Sequence, residues 1–300
     1  MTLWIPITLA AALFQTLRFM LQRQLSVGTL SAGGATLARF LYSAPLVAVL
    51  IMAYMALTGQ AWPEFGLEFW IYGATGGLAQ IIATICVVSL FKARNFAVGI
   101  TFKNTESIMA LLVGWVVLGD GVGPWAIAAV LLGVVGVLIL SAPPELVHIR
   151  PRDLMNRASA LGLTAGFLFA VSGVTYRGAS LSLDLDDPVA RAGLTLAAVT
   201  AMQTVAMVFW LQWRDPGQVR AVWNARRVAI WVGLMSMAGS FCWFLAFTLQ
   251  NAAFVKAVGQ VELIFSALAS VLVFREAVSG REWIGMAVLL ASILMLISVL

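Results

Sequence analysis

The sequence has little charge and few of the side chains that carry covalent chemistry. Asp, Glu, Lys and Arg make up 10% of its 300 residues, with one histidine and two cysteines. His148 stands among prolines and arginines with no second His or Cys at ligand spacing, so no metal site is expected. Cys86 and Cys242 fall inside apolar runs and read as small buried residues of a compartment that does not need them oxidised. No Walker-type phosphate loop, Ser-centred hydrolase elbow or ATP-binding domain is found. No catalytic residue and no cofactor is assigned, and any transport must run on gradients.

What the sequence does have is apolar length. Hydrophobic residues are 62% of the chain and the mean hydropathy is +0.98, against roughly 45–50% apolar in soluble domains. They come in runs of about 20, enough to cross roughly 30 Å of hydrocarbon. Ten spans are expected, at 3–22, 33–57, 68–91, 96–118, 124–142, 157–179, 188–211, 228–249, 252–274 and 281–299. Turn-forming stretches such as TGQAWPEFG, GDGVGP, SAPPELVHIRPRD, DLDDP and RDPGQ separate them. None alternates like a barrel strand, and lipid-facing backbone must be satisfied within its own segment, so the spans are predicted to be helices. The first lacks a basic leader and a small-residue cleavage site and is expected to persist as a helix.

Positive charge is distributed unevenly. Assigned to the nearer side, all of the eighteen Lys and Arg except Arg177, Arg191 and Lys256 lie by the connections that follow odd-numbered spans. The positive-inside rule then places both termini outside the cytoplasm. The same bias accounts for the net charge of +5 and pI near 9.7 through anionic lipid, without nucleic acid as a partner.

The chain also repeats. Shifted by 156 positions, Gly77 meets Gly233, Cys86 meets Cys242, Asn95 meets Asn251 and Glu106 meets Glu262, with no gap through Asp120/Glu276. A shift of 152 pairs Ala38-Arg39 with Ala190-Arg191. The two cysteines coincide, as do two intramembrane glutamates. The units are residues 1–148 and 149–300, five spans each in one integrated membrane domain. An odd number of spans turns the second unit upside down relative to the first, the inverted repeat of many secondary transporters.

With Asn95-Phe96-Ala97 and Asn251-Ala252-Ala253 opening the fourth helix of each unit, and Gly119-Asp120 and Arg275-Glu276 before each fifth, the chain resembles the drug/metabolite transporter superfamily. Within it, the resemblance is to the ten-helix EamA-type exporters and their aromatic and neutral amino-acid branch. It covers essentially the whole chain. It implies an all-α basket of ten helices around a central cavity in the bacterial inner membrane, exporting small metabolites. The chain departs from the family pattern between its second and third helices, where an acidic TGQAWPEFGLE replaces the usual basic connection. That departure agrees with extracytoplasmic termini.

Glu106 lies 11 residues from Asn95, roughly 16 Å deep at about 1.5 Å per residue, and Glu262 lies as far from Asn251 on the opposite approach. An ionisable group at mid-depth costs about 2.5–3.5 kcal/mol and should meet a partner or a wet cavity. Lys103, one turn before Glu106, offers two readings. The pair neutralises itself, or Lys103 and Glu106 line a polar substrate site with Asn104, Gln260, Glu262 and Gln15. Such a site would meet the carboxylate and the amine of a zwitterion at once, and free amino acids fit it. Other solutes remain open: cationic drugs would need carboxylates without the lysine, and phosphorylated sugars more cations than Lys103. A membrane enzyme or structural subunit is the reading from another class.

Lys256 stands about 240° from Glu262 on a continuous helix and is expected to snorkel to the boundary. Arg18 is expected as an interfacial anchor or a partner for an acidic loop. Gln15 and Gln80 read as cavity lining or interhelical hydrogen bonds. Trp243 and Phe244 read as a pocket wall for a large apolar side chain or as core. Trp4, Trp62, Trp70, Trp125, Trp213, Trp223 and Trp283 fall at span ends, where interfacial rings are expected, whereas Trp115, Trp210 and Trp231 lie deeper. Gly133, Gly136, Gly285, Ala291 and Ser292 suit close helix packing or a dimer seam, so the chain is expected as a monomer or weak homodimer.

Overall fold

Helix boundaries follow from a few local residues. Ser31 Oγ accepts from the Gly34 N–H at 3.1 Å and Asn251 Oδ1 from the Ala253 N–H at 2.8 Å, each capping a helix start. Gly59 and Gly119 take φ of 65° and 66°, the left-handed conformation that closes a helix at little steric cost.

The computed structural model describes residues 3–28, 30–90, 103–141, 157–265, 268 and 280–299. Among them are eleven helices and no strand. In chain order they are α1 (Trp4–Gly28), α2 (Ala32–Thr58), α3 (Leu67–Leu90), α4 (Glu106–Leu118), α5 (Pro124–Ser141), α6 (Arg157–Leu181), α7 (Pro188–Arg214), α8 (Gln218–Asn224), α9 (Arg226–Leu249), α10 (Ala252–Gly259) and α11 (Gly280–Val299). Six of them, α1, α2, α3, α6, α7 and α9, are long and apolar enough to cross a membrane. Shorter apolar helices are α4, α5 and the Trp283–Val299 part of α11.

Two differences from the sequence reading matter. The RDPGQ connection contains the short helix α8 rather than loop alone. The fourth and ninth spans, read as continuous helices, are each broken. Asn104 and Thr105 form a turn before α4, and Gln260 and Val261 form a turn after α10, with helix resuming at Glu262. The Gln260 and Val261 N–H groups reach back three residues, to Ala257 O at 3.3 Å and Val258 O at 3.1 Å, a tightening typical of an interrupted helix. The Asn95-Phe96-Ala97 and Arg275-Glu276 motifs and His148 lie outside the described residues.

The helices pack in pairs: α3 on α6, α1 on α9, α5 on α11, α2 on α7 and α4 on α10. Small residues permit the closest approaches. At Gly136 an added Cβ would sit 2.7 Å from Leu289 N and 3.1 Å from Gly285 O, while Ser292 Oγ donates to Ala129 O at 2.7 Å. The small-residue pattern of the fifth and tenth spans thus joins α5 to α11 within one chain.

The outward faces are apolar, as lipid requires, with Leu57, Leu112, Val116, Phe209 and Leu294 exposed. Trp62, Trp70, Trp125, Trp213, Trp223 and Trp283 share that exposure, as do Trp115, Trp210 and Trp231. Trp4, expected at the interface, is only 4% exposed, because the start of α1 is drawn into the main apolar cluster.

Asp187 caps α7 and ties it to α2. Its Oδ1 accepts from the Val189 N–H at 2.9 Å, and its Oδ2 accepts from Tyr54 Oη at 2.7 Å and Gln60 Nε2 at 2.9 Å. Partial burial raises this carboxyl, but the hydrogen bonds from Tyr54, Gln60 and the backbone of Val189 and Ala190 outweigh it and hold Asp187 below its ordinary 3.8. A depressed carboxylate stabilises fully above its unfolded value, and that stability is lost as pH falls through the lower folded value. Asn also caps helices well, so Asp187→Asn isolates the charge. It is expected to lower the melting temperature near neutral pH, with the deficit closing as pH drops below 3.8. A pH-independent difference would contradict this account.

Candidate functional site

The two helix breaks face one another. Gln260 Nε2, in the second, donates to Asn104 O at 3.3 Å, a carbonyl of the first, and to Ser107 Oγ at 2.8 Å. The turns at 104–105 and 260–261 are 156 residues apart, the offset at which Glu106 meets Glu262. Gly166 of α6 lets that helix lie against the first break, since a Cβ there would stand 2.8 Å from Lys103 O.

Four ionisable side chains meet at these breaks. Lys103 Nζ donates to Glu262 Oε1 at 2.7 Å and lies 3.4 Å from Glu106 Oε2. Glu106 Oε1 pairs with Lys256 Nζ, and Gln15 Nε2 donates to Glu262 Oε2. Gln15 Oε1 accepts from Trp243 Nε1 at 3.1 Å, and Lys256 Nζ sits 4.7 Å above the Trp243 ring. The result is a closed ring through Lys256, Glu106, Lys103, Glu262, Gln15 and Trp243, with as many cations as anions. Inside a membrane each charge depends on the others: removing one partner of a buried pair typically costs about 3–5 kcal/mol.

Lys103 and Glu106 therefore do not form a self-contained pair, since the nearer carboxylate belongs to Glu262. Lys256 does not snorkel to the boundary. The turn at 260–261 resets the helical phase, so the 240° separation expected on a continuous helix does not apply, and Lys256 points inward to Glu106.

Two small adjoining cavities open on this ring. Gln15, Lys103, Asn104, Glu106, Gln260, Glu262 and Trp243 line one, together with Lys256. Gln80 and Phe244 line the second, with Arg39, Phe169, Tyr176 and Phe247. Gln15, Trp243 and Lys256 border both and form the septum between them. Each measures about 20 Å³, room for roughly one or two waters. Where the sequence reading expects a central cavity, the described residues enclose these two small voids. Asn104 is 5% exposed, and its Nδ2 has no hydrogen-bond partner among the described residues.

The second cavity has stacked aromatic walls. The Tyr176 and Phe244 ring centroids are 4.3 Å apart, and those of Trp243 and Phe247 are 5.7 Å apart. Gln80 is fixed at its edge, where Oε1 accepts from Tyr176 Oη at 3.1 Å and from Gln203 Nε2 at 3.0 Å. Trp243 and Phe244, read as wall or core, are both: buried in the main cluster and bordering the cavity.

Two arginines depart from the sequence reading. Arg18 is 2% exposed and donates to Gln22 Oε1 at 2.6 Å, while its guanidinium lies 4.1 Å from the Phe19 ring centroid. It is buried rather than an interfacial anchor, and among the described residues no acidic loop pairs with it. Arg39, counted above among the connection charges, is 4% exposed inside α2. The signal that could have found Arg39 is its distance from the Ser31 cap, about 12 Å at 1.5 Å per residue, within an otherwise apolar run. For Lys256 the signal was charge balance, since two mid-depth glutamates call for two cations.

These features define an all-helical, multi-pass membrane protein with a charged and aromatic interior. Residues 156–298 match the EamA-like transporter family, which supports the drug/metabolite transporter superfamily and suggests a membrane transporter of that type. Among solved structures, one crystal structure aligns over 97% of this chain and 95% of its own, with a TM-score of 0.67 at 17% identity, a likeness of fold. No curated protein matches the chain.

Proposed function

We propose that the chain is a secondary transporter that exports amino acids, neutral or aromatic, across the bacterial inner membrane by alternating access. In this reading residues 1–148 and 149–300 are inverted five-helix repeats, with both termini extracytoplasmic. The helix pairing supports it, because exchanging the units leaves the pattern unchanged: α3 on α6 trades places with α1 on α9, while α2 on α7, α4 on α10 and α5 on α11 map onto themselves. The charge bias survives the correction of Arg18, Arg39, Lys103 and Lys256 to buried positions, since the other lysines and arginines keep the same imbalance.

The observation that carries the reading is the neutral Lys–Glu ring set at two helix breaks 156 residues apart, beside aromatic walls. Broken helices at mid-depth present free backbone and charge to a solute, and a ring of both signs can exchange partners with an ammonium and a carboxylate. An anionic metabolite is the second reading, favoured by Lys256 and Arg39 on the cavity walls. Purified protein in proteoliposomes should take up labelled phenylalanine or leucine, tested with and without a pH gradient and beside glutamate and a sugar phosphate. Uptake of the sugar phosphate alone would select the second reading, and uptake of none would remove both.

A further inference from the structure

The four charges of the ring cancel, so they leave no net charge to attract an anion. Beside them on the cavity wall is a cation with no carboxylate partner among the described residues, Arg39. Its Nε donates to Ser236 Oγ at 2.9 Å, Nη1 to Thr84 Oγ1 at 3.2 Å and Nη2 to Ser240 Oγ at 3.1 Å. All three acceptors are neutral hydroxyls, and no carboxylate pairs with Arg39 among the described residues. A guanidinium has five N–H donors, so two remain. The hydroxyls from α3 and α9 hold the fork rigidly without neutralising it, and the group borders the aromatic cavity. On the same cavity Gln80 has its oxygen occupied by Tyr176 and Gln203, which leaves its amide nitrogen as a further donor.

We infer that Arg39 is the anion subsite of the transported solute: a carboxylate docks on its two remaining donors, and the solute's apolar part lies against Tyr176, Phe244, Trp243 and Phe247. An amine on the same molecule then reaches the septum, where Gln15 leads to Glu262 and Lys256 leads to Glu106. The fork favours a planar carboxylate, and the neighbouring rings favour an aromatic or large apolar substituent. A solute needs a wider cavity than this one, which as it stands holds only water-sized molecules. This inference rests on the amino-acid reading for the identity of the solute, but not for the presence of an anion site.

The test uses the purified full chain in two arms. In the first, labelled phenylalanine uptake into proteoliposomes is competed with phenylalanine and with phenylalaninamide, which keeps the amine and ring and lacks the carboxylate. Wild type should prefer the acid, and Arg39→Gln should weaken the acid about tenfold or more while leaving the amide unchanged. Equal loss of both, or unchanged preference for the acid, would overturn the subsite. In the second arm, thermal unfolding in detergent is followed with benzoate and with neutral benzyl alcohol. Benzoate should stabilise wild type and not Arg39→Gln, and a benzoate shift that survives in the variant would refute the inference. If phenylalanine is not carried but benzoate protects through Arg39, the amino-acid reading fails and the anion subsite stands. Arg39→Lys, which keeps the charge and loses the fork, provides the same comparison if Arg39→Gln does not fold, with an expected intermediate loss.

Discussion

Lys103→Met is expected to abolish amino-acid flux and to lower stability by about 3–5 kcal/mol, the usual cost of stranding a buried charge. Lys103 holds Glu262 at 2.7 Å and Glu106 at 3.4 Å, so its loss deprives one carboxylate of its lysine and the other of a second cation. Stability alone cannot separate a carrier's charge ring from a structural ion pair, because both would suffer. The double variant Lys103→Met with Glu262→Gln makes the distinction. Removing both charges leaves Lys256 paired with Glu106 and restores neutrality, so much of the lost stability should return. Flux should not return, since the partner-exchanging charges are gone. Recovery of wild-type flux in the double variant, at matched protein level, would show that the ring merely neutralises itself.

The glutamates were legible in the sequence, and the ring they belong to was legible only in part. Glu106 and Glu262 stand out because carboxylates at mid-depth are rare and because a shift of 156 superposes them. Lys256 was hidden by an assumption of continuity. A helical wheel carries phase from residue 256 to 262 only when the helix runs unbroken, and α10 stops at Gly259. The breaks carry no proline: Asn104 stands in the polar run Lys103-Asn104-Thr105-Glu106-Ser107, and Gln260 follows Gly259 two residues before Glu262, a polarity that reads as site lining as readily as helix ending. Arg18 and Arg39 were obscured differently: a charge count assigns every cation to the nearer surface, whereas packing decides which stays inside. Where local chemistry sets a boundary the reading held, as at the Asn251 cap and the Gly119 turn. Trp4 shows the limit of position as a guide to exposure, because burial there depends on helices distant in sequence.

Gly166→Ala is expected to lower flux by about tenfold and to cost about 1–3 kcal/mol, the range for forcing a methyl into a packed site. The added Cβ would stand 2.8 Å from Lys103 O and 3.4 Å from Lys103 C, and these are backbone atoms that cannot swing aside as a side-chain tip can. Either α6 retreats or Lys103 and the turn at 104–105 move, and the second displaces the Lys103 ammonium from Glu262. The variant leaves every charged group in place, so it asks whether the ring's geometry matters as well as its charge. Gly121→Ala is the matched control: a Cβ there meets nothing within 4 Å, and its effect should stay within about 0.5 kcal/mol with flux unchanged. If Gly166→Ala keeps wild-type flux and melting temperature, the contact between α6 and the first break does not position Lys103. If it loses stability while flux per folded molecule is unaltered, the contact supports the fold but the ring tolerates its displacement.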